Sequence, residues 1–195
     1  MPDAHELNCF LNPKSIAVVG ASNRFGAWGY MILSSLIRGN FAGKVYPVNP
    51  NESDVLGLSS FSCLKDIPGP VDLVIVAVPA PLVPQVILEA TDKGIKGAVI
   101  ITAGFSESHP DGKKMEQEMV QLARSKGMRL IGPNVSGIFN VKAGFNATPN
   151  PSESLIDCPI TFICQGGFAI NNVLHRGSPR GMGVNRFYHT GNEAD

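Results

Sequence analysis

Neither sign of charge dominates this sequence of 195 residues: sixteen Lys and Arg offset sixteen Asp and Glu. A chain without excess basic charge is poorly matched to a nucleic-acid backbone or an anionic membrane surface, so neither is expected as a partner. No apolar run approaches the ~18 residues needed to cross a membrane. The opening MPDAHELNCFLNPKS lacks the basic-then-apolar order of a secretory signal. Cysteines are few, and Cys9, Cys63, Cys158 and Cys164 form no C-x-x-C pair and no disulfide-like spacing. They read as reduced, packed thiols of a cytoplasmic protein. No spacing of His, Cys and carboxylates suggests a zinc site, so no metal is expected. What the sequence does hold is apolar substance, 44% hydrophobic against 16% charged residues, enough to bury a core. Any anion site must then be local, built from backbone dipoles and a few side chains.

Apolar runs of strand length alternate with amphipathic stretches of helix length. Residues 15–19, 44–48, 72–78, 97–104 and 129–134 read as strands, the second weakened toward its end by Pro47. Residues 27–38 place Trp28, Ile32, Ser35 and Leu36 at helical spacing, which puts Trp28 in the packed face, and Gly39 suits the C-cap. Val83, Val86, Ile87 and Ala90 mark a second helix, and Met115, Met119 and Leu122 a third. Such alternation implies an α/β fold with a doubly wound, Rossmann-like parallel sheet, here over residues 1–140. Residues 141–158 lose the pattern and read as a linker. From 159 to 195 the strand ITFIC, the loop QGG, a short helix and the strand-like RFYHT form an incomplete flavodoxin-like α/β segment. So short a unit cannot close a core of its own, and the sequence reads as truncated inside a second domain.

In an open parallel sheet, ligands bind beyond the C-terminal ends of the strands. The five strand ends carry GASNRFG, NPN, PAP, TAGFSE and GPN, small or rigid residues that admit a ligand to the backbone. The first belongs to IAVVGASNRFGAWGY, a strand, glycine turn and helix suited to a phosphate. Its glycines do not fit G-x-G-x-x-G, and the acid that a nicotinamide dinucleotide wants after the second strand is replaced by Asn49. Glu52 lies past a proline. An NAD(P)-dependent oxidoreductase is thus a disfavoured alternative. No catalytic set is visible: Ser22, Ser106 and Ser136 lack an obvious His and acid partner. Glu107 and His109 read as a solvated pair, and His175 and His189 as surface or interface residues. Phe105 either covers a ligand ring or plugs the sheet end.

Taken in order, SIAVVGAS, VYPVNPN, PVDLVIVAVPA, GIKGAVIITAGFSE and RLIGPNVSGIFN resemble the CoA-binding domain of NDP-forming acyl-CoA synthetases, which include the succinyl-CoA synthetase α subunit. The tail resembles the opening of that family's second, flavodoxin-like ligase domain, with ICQGG, RGMGVNRF and TGNEAD in the places of its S-x-S-G, G-I-G and GN-x-A-D motifs. The resemblance implies coenzyme A as a substrate. Gly20, Ala21 and Ser22 would meet a CoA phosphate, with Arg24 as charge partner, and Val48, Asn49 and Pro50 would line the nucleotide end. Val78, Pro79 and Ala80 would pack along adenine or pantetheine; Thr102, Ala103 and Gly104 would receive the pantetheine arm, and Asn134 would stand near the thiol. Gly20→Val is expected to weaken CoA binding in a protein that still folds.

The resemblance also implies a parent acid–CoA ligase (ADP-forming), converting acid, CoA and ATP to acyl-CoA, ADP and phosphate through an acyl phosphate and a phosphohistidine. The motif holding that histidine is not matched here, so no catalytic residue is assigned, and this stretch alone is expected to be inactive. Cys164-Gln165-Gly166-Gly167 replaces S-x-S-G, removing both hydroxyls from the turn that holds phosphate in the family. The implied partners are the remaining ligase and nucleotide-grasp domains or subunit of the parent; a homo-oligomer is left open. The alternative within the same resemblance is a CoA-binding regulatory module fused to a protein acetyltransferase.

Overall fold

The computed structural model describes residues 7–150, 155–167 and 169–195. A short helix, α1 (Asn8–Leu11), leads into β1 (Ser15–Val19), α2 (Trp28–Arg38) and β2 (Lys44–Val48). A two-residue ladder, β3 (Asp54–Val55) with β4 (Leu58–Ser59), occupies the loop before β5 (Leu73–Val76). Next come α3 (Val83–Asp92), β6 (Gly97–Ile100), α4 (Pro110–Ser125) and β7 (Arg129–Ile131). The five long strands form a parallel sheet of order β2-β1-β5-β6-β7.

Every residue of β1, β5 and β6 is buried, as central parallel strands covered on both faces require. Alternate side chains serve opposite faces. Ile16, Val18, Leu73, Ile75 and Val99 pack with Ile32, Leu33 and Leu36 of α2. Ala17, Val19, Val74, Val76 and Ile100 meet Val83 and Ile87 of α3 and Met119 of α4. Each aliphatic side chain so buried contributes roughly 1.5–3 kcal/mol. Pro47 is tolerated because β2 is an edge strand. Phe105 is fully buried among the α3 and α4 residues, so it plugs the sheet end.

The chain continues through β8 (Ile138–Asn140), β9 (Phe145–Ala147), β10 (Thr161–Cys164), α5 (Ala169–Gly177) and β11 (Arg186–His189). These strands form a mixed sheet of order β10-β11-β8-β9, in which only β10 and β11 are parallel. The stretch without a sequence pattern therefore contains β9, three residues being too few for a period to show. The strand–helix–strand tail is completed by pairing β11 with β8. One face of this sheet buries Phe139 and Phe187 against Ile170 and Leu174 of α5. The other sends Ile138, Phe145, Ala147 and Tyr188 into the core around α2, so the second sheet is wedged between α5 and the first.

Candidate functional site

The first sheet changes direction at β1: the chain crosses to β2 on one side, then returns to β5 on the other. Loops leaving β1 and β5 diverge there, which opens a crevice at the C-terminal ends of the strands. A cavity of about 1000 Å³ lies at this point, at the upper end of the size range of small-molecule sites.

Its first wall is the loop after β1. Gly20 has φ +89, and a Cβ there would come within 2.5 Å of the Ala77 carbonyl oxygen. A Cβ on Gly29 would lie 1.9 Å from the Gly20 carbonyl oxygen. These glycines let α2 begin against the ends of β1 and β5. The expectation for Gly20→Val is corrected by this contact: the added side chain meets the backbone after β5, so the variant strains the fold itself. Among the described residues no side chain caps α2, and its first N–H groups lack acceptors within the helix. Trp28 and Gly29 line the cavity, so the positive end of the helix faces it. Arg24 is exposed alongside, its N–H donating to Ser22 Oγ at 3.1 Å.

Gly20, Ser22, Arg24, Val78, Pro79, Thr102, Ala103 and Asn134 all line the cavity. Ala21, Val48, Asn49, Pro50, Ala80 and Gly104 do not border it. Ala21 and Val48 are buried, and Pro50 is exposed. Asn49 braces the first loop, its Nδ2 donating to the Ala21 carbonyl at 2.7 Å and to Glu52 Oε1 at 3.2 Å. Glu52 Oε2 in turn accepts from the N–H and Nδ2 of Asn23 at 3.1 and 2.6 Å. The acid nearest the end of β2 is thus engaged with the loop. Gly104 stands behind the cavity, where a Cβ would come 3.2 Å from that of Ala80.

Thr102 Oγ1 donates to the Val78 carbonyl at 2.6 Å, joining the loops after β5 and β6. Asn134, at φ 63, donates its N–H to the Thr102 carbonyl at 2.9 Å and its Nδ2 to Asn192 Oδ1 at 3.3 Å. Glu107 and His109 are exposed, yet both hold backbone. Glu107 accepts from the N–H groups of Gly104 and Phe105 and from Asn192 Nδ2. Burial would raise its carboxyl, but these donors outweigh that and hold it below the ordinary value. His109 caps α4, its Nδ1 accepting from Gly112 N–H at 2.9 Å.

The second sheet supplies the opposite wall, including Asn150, Gln165, Gly166, Asn171 and His189. Sequence reasoning missed this half. The signal was present: QGG and TGN follow β10 and β11, two more parallel strands with their C-terminal ends at the same cavity. His189, expected at a surface or interface, is instead 5% exposed. Its Nδ1 lies 2.6 Å from the Ser136 N–H and 3.0 Å from Ser136 Oγ, and its Nε2 faces the Gln165 carbonyl. A backbone N–H only donates, so Nδ1 carries the lone pair and Nε2 the proton. Burial pulls the pKa of His189 below the ordinary 6.5, the Gln165 carbonyl opposing it in part. Trp28, expected in the packed face, is 48% exposed and forms part of the wall. Among the described residues, no helix is long and apolar enough to cross a membrane, and no three His, Cys, Asp or Glu converge to hold a metal.

A family model described as a CoA binding domain matches residues 14–140. The α subunit of acetate–CoA ligase (ADP-forming) II from Pyrococcus furiosus is 42% identical over 189 residues, covering 97% of this chain and 41% of that subunit. The 4-hydroxybutyrate–CoA ligase (ADP-forming) of Nitrosopumilus maritimus is 34% identical over 189 residues, covering 94% of this chain and 26% of that protein. Among solved structures, a dinucleotide-forming acetyl-coenzyme A synthetase from Candidatus Korarchaeum cryptofilum, in complex with phosphate and ADP, superimposes with a TM-score of 0.92. It is 36% identical, covering 100% of this chain and 41% of its own. The chain spans less than half the length of each of these relatives.

Proposed function

The chain belongs to the CoA-binding domain family, in the form carried by ADP-forming acyl-CoA ligases, and on that premise we propose that the cavity beyond β1 and β5 binds coenzyme A as a substrate. The observation that carries this reading is the cavity's division of character. At one end stand the uncapped start of α2 and the Arg24 guanidinium, suited to phosphate. The rest is walled by small apolar groups and neutral amides, suited to a long arm containing amides of its own. Gly20, Ser22 and Arg24 meet phosphate; Val78, Pro79, Thr102 and Ala103 line the arm; Asn134 stands near the thiol. Asn49 and Pro50 flank the nucleotide end, Asn49 through its hold on Ala21. Val48, Ala80 and Gly104 back these loops.

In the whole enzyme a histidine takes the terminal phosphoryl group of ATP, releasing ADP, and passes it to the acid as an acyl phosphate, from which the CoA thiol displaces inorganic phosphate to leave the acyl-CoA. Further domains or a partner subunit supply that histidine and the nucleotide site, and the present residues alone hold CoA without turning it over. His189 takes no part in phosphate transfer, since both ring nitrogens are engaged with backbone. The relatives' names specify acetate in one case and 4-hydroxybutyrate in another, so the acid is determined outside the features shared with them.

Isothermal titration calorimetry with CoA and with NAD tests the reading. CoA is expected to bind and NAD to give no heat. Ala103 is exposed on the cavity wall, so Ala103→Phe should weaken CoA at least about tenfold by filling the site, at unchanged thermal stability. Tight NAD binding without CoA heat would overturn the proposal.

A further inference from the structure

We infer that Trp28 is a ligand-contacting residue whose indole packs against the pantetheine arm of bound coenzyme A; the inference rests on the CoA reading above. Trp28 shares a helix face with Ile32 and Ser35, four and seven residues further along. Ile32 is fully buried, and Ser35, 4% exposed, donates from Oγ to the Asn150 carbonyl at 3.1 Å. That stripe faces the sheet and the segment around Asn150. One turn earlier the sheet has ended, because β1 stops at Val19, and the same stripe overhangs the cavity. Trp28 is therefore turned inward with no strand beneath it.

An exposed indole in such a place leaves a large apolar face without a partner among the described residues. Among the described residues, Trp28 and His189 are the only aromatic rings lining the cavity, and His189 is fixed by Ser136 and Gln165. Which part of the ligand meets Trp28 follows from the wall. Asn49 and Pro50, after β2, lie outside the cavity, whereas Asn134 and Ser136 line it. Trp28 opens α2, so its backbone stands at the phosphate end, and its side chain reaches over the cavity on the course of an arm that runs from phosphates at Gly20 and Ser22 toward Asn134 and Ser136. The arm's geminal methyl groups supply apolar surface for the indole face, and its amides supply acceptors for the indole N–H.

Trp28 is the chain's single tryptophan, so intrinsic emission reports on this residue alone. The protein is titrated with CoA and with an adenosine bisphosphate equal to the nucleotide half, and occupancy is measured by calorimetry. CoA at saturation is expected to quench or blue-shift the emission, and the bisphosphate at saturation to leave it unchanged. Trp28→Ala should raise the Kd for CoA about tenfold, leave that for the bisphosphate within about twofold, and be largely rescued in Trp28→Phe. Unchanged emission at calorimetric saturation with CoA would overturn the inference. So would an equal response to the bisphosphate, or wild-type CoA affinity in Trp28→Ala. A wild-type chain that gives no heat with CoA would instead remove the CoA reading, and this inference with it. Should the alanine variant not fold, emission from the wild-type chain and the phenylalanine variant still decide.

Discussion

His189 receives the Ser136 N–H on Nδ1 at 2.6 Å and presents Nε2 to the Gln165 carbonyl. One ring thus ties the loop after β7 to the loop after β10, joining the two sheets at the far end of the cavity. A proton on Nδ1 would set N–H against N–H, so the contact belongs to the neutral ring alone. Gly167 fits the same arrangement, since a Cβ there would lie 2.9 Å from His189 Cε1.

The pH dependence follows from the depressed pKa. Below the ordinary value of 6.5, the unfolded chain takes up a proton that the folded ring resists. The stability contributed is complete above that value and is lost as pH falls through the range beneath it. Thermal melts between about pH 7 and pH 5 should show a falling midpoint, at about 2–4 °C for each kcal/mol lost. His189→Gln cannot titrate and should lose less over the same interval; a parallel decline in that variant would exclude the ring as the source.

Two glycines near the first loop should respond differently to alanine. At Gly29 the new Cβ would meet the Gly20 carbonyl oxygen at 1.9 Å, so α2 must shift, costing roughly 2–4 kcal/mol in urea unfolding and weakening CoA binding. At Gly26 a new Cβ would meet none of the described residues within 4 Å, but φ is +82, so only backbone strain of about 1–2 kcal/mol is expected. Equal losses at the two positions would contradict the close approach of α2 to Gly20.

Asp195 has a fully buried side chain that accepts from the Nε atoms of Arg124 and Arg129, the latter at 2.9 Å, and from Leu130 N–H at 2.8 Å. Burial alone would raise its carboxyl, but Leu130 N–H and the two guanidinium groups hold it below the ordinary 3.8. Its contribution is present above that pH and lost as pH falls further. Asp195→Asn should cost roughly 1–3 kcal/mol near neutrality, modest because Arg124 is largely in water, and should flatten the acid limb of the stability curve. An unchanged denaturation midpoint would show that the pairs add nothing.

Local pattern made the first sheet legible. β1 and β2 begin and end where their apolar runs do, at Ser15–Val19 and Lys44–Val48. β5 and β6 stop at Val76 and Ile100, short of the apolar runs: Ala77 and Ile101 give the last ladder N–H groups to the Val19 and Val76 carbonyls, and with Val78 and Thr102 they line the cavity. Hydrophobicity records burial and does not distinguish a ladder from a wall. Periodicity likewise gave the direction in which Trp28 points but not its depth, since helical spacing carries no information about where the neighbouring sheet ends. The contribution of His189 depends on pairing Phe187 with Phe139, a relation between distant segments that no local window contains.

On the ribosome the second sheet cannot assemble in the order in which it is translated. Asn140 pairs with Arg186 and Ile138 with Tyr188, so β8 emerges long before the strand that will flank it. Until then β8 and β9 can pair only with each other, and a two-stranded ladder with both edges open is marginally stable and can be templated onto by other chains. The first sheet, whose strands are all synthesised by Ile131, gives this hairpin a surface through Ile138 and Phe145. The nascent chain thereby carries its own holding platform until β11 arrives to close the gap.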